Sequence, residues 1–175
     1  MNASFVAGLV KASSEFKEQV GIPEHGAMLG QGGEAAVFEH KDPDKVVRVC
    51  WRDCTVARAL LGQALEHFAR IHDMGKVVVK GGPWFPPQTV FYQVMERLEP
   101  SPRDATDHEF YEAQRELEAR GLMHVDAGFH NFMISSDGTM KLVDPGGLAP
   151  LYNSQQASPW LGFTPDGSHR TRSET

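Results

Sequence analysis

The sequence is short of cysteine, of positive charge and of long apolar runs, and each shortage removes a class of function. Its only cysteines, Cys50 and Cys54, stand four residues apart with no His/Cys pair at metal spacing. Buried free thiols are therefore expected rather than a zinc centre or a disulfide framework, which fits a reducing cytosol. The net charge of −6 and isoelectric point near 5.7 argue against a protein whose main task is to coat nucleic acid, because phosphate binding needs an excess of Lys and Arg on one face. No apolar run approaches the roughly 20 residues that span a bilayer. The N-terminus also lacks a basic stretch followed by an apolar signal core. A soluble, cytoplasmic protein with no membrane partner is expected. At 175 residues and 41% hydrophobic content, the chain can bury a real core in one compact domain or two small lobes.

What is present reads as alternating helices and strands. Residues 3 to 20 place Phe5, Leu9, Phe16 and Val20 near one face at helical spacing, which predicts an amphipathic helix. A strand into Leu29, a turn at Gly30 to Gly33, a return strand through Phe38, a turn at Asp42-Pro43-Asp44 and the run KVVRVCW predict three antiparallel strands. Residues 55 to 74 carry Val56, Leu60, Leu61, Leu65, Phe68 and Ile71 at helical intervals, so a second helix is expected there despite Gly62. KVVVK and QTVFYQVMERL return to strands, separated by the breakers Gly81-Gly82-Pro83 and Pro86-Pro87. A helix near 106 to 120 is stopped by Gly121. The ending DGSHRTRSET looks like a frayed polar tail.

The stretch MHVDAGFHNFMISSDGTMKLVDPGG, residues 123 to 147, concentrates the chemistry. A short loop runs from Asp126 to Asn131, FMI and MKLV form a hairpin around a turn at Ser135 to Thr139, and Asp144 stands at the hairpin's end. Asn131 and Asp144 thus bracket one hairpin and can face one cavity. Such a set suits phosphoryl transfer, in which one carboxylate orients an incoming hydroxyl while an amide oxygen and a second carboxylate hold Mg²⁺. The plainer alternative makes Asp137 and Asp144 turn residues, Asn131 a cap and His124 a packed core side chain.

In their order these motifs resemble the protein-kinase-like superfamily: a His-x-Asp-x-x-x-x-Asn loop, a strand hairpin, then an Asp-x-Gly signature. The resemblance spans roughly residues 27 to 147. It implies that Asp126 is the catalytic base, that Asn131 and Asp144 are the metal ligands, and that Gly146 is the signature glycine. It further implies that Gly30, Gly32 and Gly33 lie over the phosphates of ATP and that Val37 and Val46 cover the adenine. Glu96 and Leu98 would meet the adenine edge through their backbone, with Met95 as gatekeeper. Arg48 stands where the superfamily carries Lys, and Glu66 is its natural helix partner. Val125 in place of Arg, Gly128 in place of Lys and Pro145 in place of Phe look like the atypical members, the RIO-type and aminoglycoside-phosphotransferase-like kinases.

The implied fold is α+β and two-lobed, with a five-stranded antiparallel upper sheet carrying one helix and a much reduced lower lobe. Residues 1–26 would form an N-terminal helix and linker, 27–98 the upper lobe, and 99–175 a truncated lower lobe with the catalytic loop and polar tail. The implied activity is ATP- and Mg²⁺-dependent phosphorylation of a hydroxyl on a protein Ser or Thr. Self-modification is included, with Ser168, Thr171, Ser173 and Thr175 of the tail as acceptors. A small-molecule kinase and a nucleotide-binding pseudokinase that acts by interaction are the alternatives. A protein substrate, or a partner completing the lower lobe, is the expected company.

Overall fold

A computed structural model describes residues 2–80, 86–126 and 128–151. The tail hydroxyls at Ser168, Thr171, Ser173 and Thr175, and the Gly81-Gly82-Pro83 breaker, lie outside them. The architecture is α+β, built on a five-stranded antiparallel sheet. Among the described residues, no helix is long and apolar enough to cross a membrane.

The expected helix over 3 to 20 is two helices, α1 (Ala3–Ala12) and α2 (Ser14–Val20). Ser13 separates them, because its hydroxyl accepts the Phe16 N–H at 3.1 Å and begins a second helix where the first ends. The break resets the helical phase. Ala3, Val6, Ala7 and Val10 therefore form the inner stripe of α1, while Phe5 turns outward. Both helices pack on one face of the sheet against Phe38, Val47, Val49 and Val90.

The sheet comprises β1 (Met28–Gln31), β2 (Ala35–Glu39), β3 (Lys45–Cys50), β4 (Ile71–Val79) and β5 (Gln88–Glu96), in the order β1-β2-β3-β5-β4. Side chains alternate across it, so Val47 and Val49 of β3 meet the helices while Val46, Arg48 and Cys50 face the opposite way. Lys45, one residue out of phase with Val46, pairs with Asp42 at 2.7 Å.

The helix expected over 55 to 74 does not form. Only Thr55–Leu60 make a short 3-10 turn, Gly62 enters the left-handed region at φ 74°, and the chain is extended again by Ile71. Leu60, Leu65, Phe68 and Ile71 are nonetheless buried. They join the core without a helical stripe, and the backbone around Phe68 is held to the second half of the chain: the Ala69 N–H donates to Leu142 O and the Leu142 N–H to His67 O, both at 2.9 Å. The segment ties the sheet to the second half of the chain.

That half contains β6 (Glu99–Pro100), α3 (Asp107–Glu118), β7 (Leu122–His124), β8 (Phe132–Ile134), β9 (Met140–Leu142) and β10 (Leu148–Pro150). The expected hairpin is present, with Phe132 opposite Leu142, and β6 extends it while β10 pairs with β7. A capping box starts α3, Thr106 accepting the Glu109 N–H while Glu109 accepts the Thr106 N–H. Arg103 and Thr106 hold the Glu109 carboxyl down at about 2. Thr106→Ala is expected to cost about 1 kcal/mol in a urea titration. The Glu109 contribution should be present above the ordinary carboxylate range and fade as pH falls toward 2.

Candidate active site

The hairpin register explains how two residues thirteen apart in sequence become neighbours. Extending the Phe132–Leu142 pairing by one step brings Asn131 beside Val143, whose N–H donates to Asn131 O at 2.9 Å. Asp144 is the next residue along. Asn131 Nδ2 reaches back to Asp126 O at 2.7 Å, closing the loop upon itself. This bond uses the Asp126 backbone and not its carboxylate.

These residues open onto a cleft of about 660 Å³ between the sheet and the hairpin. Its roof is Val37, Val46 and the glycine turn, its floor Met133 and Val143, and its rear Ala69 and Met95. Glu96 and Leu98 line one edge, and Arg48, Asp126, Asn131 and Asp144 gather at the polar end. Gly30, Gly32 and Gly33 stand above. All the proposed site residues except Glu66 are thus brought to one cavity. Glu34, Arg97, Glu99 and His130 also line it, so the cleft combines a mainly apolar surface with several polar groups, an anatomy compatible with a small-molecule site.

Glu66 is exposed and does not reach Arg48, because the helix meant to carry it is absent. Its N–H and that of His67 donate to the Glu116 carboxylate, each at 3.0 Å. Arg48 has other partners. The guanidinium is buried, Nη2 donates to Asp144 Oδ1 at 2.7 Å, and Nη1 donates to Gln93 Oε1 at 3.0 Å. Gln93 was not anticipated; it stands opposite Arg48 in the β3–β5 register and shares a sheet face with Met95. Glu96 also has a structural duty, its carboxylate accepting from Lys141 Nζ at 3.0 Å and from the Arg70 N–H at 3.1 Å.

Asp144 is held on several sides. Its Oδ1 accepts from Arg48 and from the Gly146 N–H at 2.9 Å, so both bonds fall on one oxygen, and Oδ2 makes neither. Its carbonyl lies 2.6 Å from His124 Nε2. His124 Nδ1 is buried with no partner among the described residues, so Nε2 carries the proton and donates. Burial pushes the His124 pKa down against the pull of the Asp144 contact, which favours this neutral form. Gly147 packs against the same ring, where a Cβ would overlap it. Gly147→Ala should therefore destabilise the chain by about 1–3 kcal/mol in a urea titration.

Asn131 and Asp144 offer the hard oxygen atoms that Mg²⁺ prefers, and a Mg²⁺ ion bound by one or two protein groups completes its shell with water and phosphate. The donor set fits that ion. Among the described residues, the one group of three metal-ligating side chains is elsewhere, at Glu66, His67 and Glu116. No protein-family model matches the chain, and no curated protein is recognisably similar to it in sequence.

Proposed function

We propose that this chain is a minimal kinase-like phosphotransferase that binds Mg-ATP in the cleft and passes the γ-phosphoryl group to a hydroxyl, most simply a protein Ser or Thr. The observation that carries the reading is the joint placement of an apolar slot with Arg48, Asp126, Asn131 and Asp144 at its polar end. The adenine would lie between Val37 and Val46 above and Met133 and Val143 below, with the Glu96–Leu98 backbone along its edge. Arg48 supplies positive charge for the phosphates. Asn131 and Asp144 would hold Mg²⁺, which when bound neutralises charge on the phosphates. Asp126 at the mouth of the cleft orients the acceptor hydroxyl and takes its proton.

The glycine turn adds independent support. Gly30, Gly32 and Gly33 do not have positive φ, and a Cβ on any of them would meet no atom within 4 Å. Neither backbone conformation nor packing within the chain demands glycine there. A ligand whose oxygen atoms approach the backbone closely would favour it. Gly33→Ala is accordingly expected to leave the fold unharmed, or to stabilise it by about 0.4–1 kcal/mol, while weakening Mg-ATP binding. Urea titration and calorimetric titration with Mg-ATP on the same preparation test this, and unchanged affinity would remove the glycine turn from the site.

A second reading, a nucleotide-binding pseudokinase, is favoured by the Arg48–Asp144 ion pair, which occupies both the phosphate-facing cation and a metal ligand. Binding of Mg-ATP with no transfer to the chain or to added protein acceptors would select it.

A further inference from the structure

Behind Arg48 lies a second cavity, of about 160 Å³, that the nucleotide site does not use. Its walls include Cys54, Thr55, Arg58, Lys76 and Gln93. Cys54 opens onto it, whereas Cys50, 1% exposed, does not line it. Both thiols are free, and their sulfur atoms are 3.8 Å apart. The cavity has room for a few water-sized groups, at about 30 Å³ each, and with Arg58, Lys76, Asp53 and Gln93 at its wall it suits a small, neutral, polar reactant.

We propose that Cys50 and Cys54 form an oxidative modification site, at which a small hydroperoxide entering this cavity converts the two thiols to an intramolecular disulfide. Cys54 is the attacking group because it alone of the pair faces the cavity. Its Sγ lies 3.9 Å from Arg48 Nη1, so a thiolate there has a buried cation beside it. The hydrogen bond shared with Cys50 and the Arg48 cation hold the Cys54 thiol below its usual range, while that bond and burial push Cys50 up.

The steps balance without another reactant. The Cys54 thiolate attacks one peroxide oxygen and the O–O bond breaks, giving Cys54 sulfenic acid and, after protonation, an alcohol, or water when the oxidant is hydrogen peroxide. The Cys50 sulfur then attacks the Cys54 sulfur. The S–O bond breaks, and hydroxide leaves with the Cys50 proton as water. Two sulfur atoms are oxidised, each by one electron, and the peroxide bond accepts both electrons. The disulfide can hold no thiolate charge against Arg48, so the guanidinium is left to Asp144 and Gln93. The proposal stands whatever ligand the first cleft takes.

The test is mass spectrometry of the full chain after treatment with hydrogen peroxide at neutral pH, with remaining thiols alkylated in denaturant. The expected result is a Cys50–Cys54 cross-link within one chain, reversed by dithiothreitol. Cys50→Ala should stop at a Cys54 sulfenic acid captured by dimedone, and Cys54→Ala should slow oxidation of the remaining thiol by roughly tenfold or more. Recovery of both thiols unoxidised from the wild-type chain, or cross-links only between chains, would overturn the proposal without reference to any variant. Equal peroxide reactivity in Cys54→Ala would overturn the role given to Cys54.

Discussion

Asp126→Asn is expected to lower phosphoryl transfer by about 10²–10⁴-fold while leaving the affinity for Mg-ATP within about twofold of wild type. The structure makes this a clean substitution. The loop is held by the Asp126 carbonyl, which accepts from Asn131, and by the Asn131 N–H, which donates to Gly128 O at 2.9 Å. The carboxylate is exposed at the mouth of the cleft. An amide of the same shape keeps the loop but cannot take a proton from an acceptor hydroxyl. Single-turnover transfer and calorimetric titration on the same preparation give both numbers. Transfer equal to wild type would remove Asp126 from the chemistry.

Asp144→Ala should do more damage, because two functions meet in one carboxylate. It removes a proposed metal ligand, so Mg-ATP affinity and transfer should fall together. It also leaves the Arg48 guanidinium, with a side chain only 9% exposed, without its anion. Stranding a buried charge costs about 3–5 kcal/mol. Because the Asp144 side chain is 28% exposed and Gln93 still accepts from Arg48, the lower end of that range is expected. Asp144→Asn separates the functions: the amide oxygen can still accept from Arg48 and Gly146, so most of the stability should return while metal-dependent binding does not. Urea midpoints and Mg-ATP titrations across Asp, Asn and Ala provide the comparison. An unchanged midpoint in Asp144→Ala would mean that the Arg48–Asp144 pair contributes nothing to stability.

The parts legible in the sequence are those fixed by local chemistry. Strands β2, β3 and β5 announce themselves by apolar runs between breakers. The β8–β9 hairpin is marked by its turn, where Asp137 accepts the Thr139 N–H at 3.0 Å and Gly138 takes a φ of 90°. Asn131 and Asp144 bracket one hairpin, so their meeting at one cavity follows from local sequence, and Asp126 lines the same cavity. The segment from 55 to 74 departs from the expected helix because apolar residues at helical intervals also occur where the anchors of an irregular segment happen to fall three or four apart. Phe68 beside Leu142 is a contact that no local pattern contains. The same limit applies to Arg48. Its charge and sheet face follow from the alternation of β3, but its partners Gln93 and Asp144 follow only from the strand order and from the closure of the cleft. Ser13 shows the reverse case: the local capping signal was present and outweighed the longer apolar period.

The most direct measurement is incubation of the wild-type chain and Asp126→Asn with γ-labelled ATP and Mg²⁺, with and without a mixed protein acceptor, followed by mass spectrometry for phosphate. Phosphate on a hydroxyl of the chain or the acceptor is expected in the wild-type reaction, and its loss is expected in Asp126→Asn. Mg-ATP should be bound by both proteins. Absence of nucleotide binding by the wild-type chain, or undiminished labelling by Asp126→Asn, would contradict the proposed function.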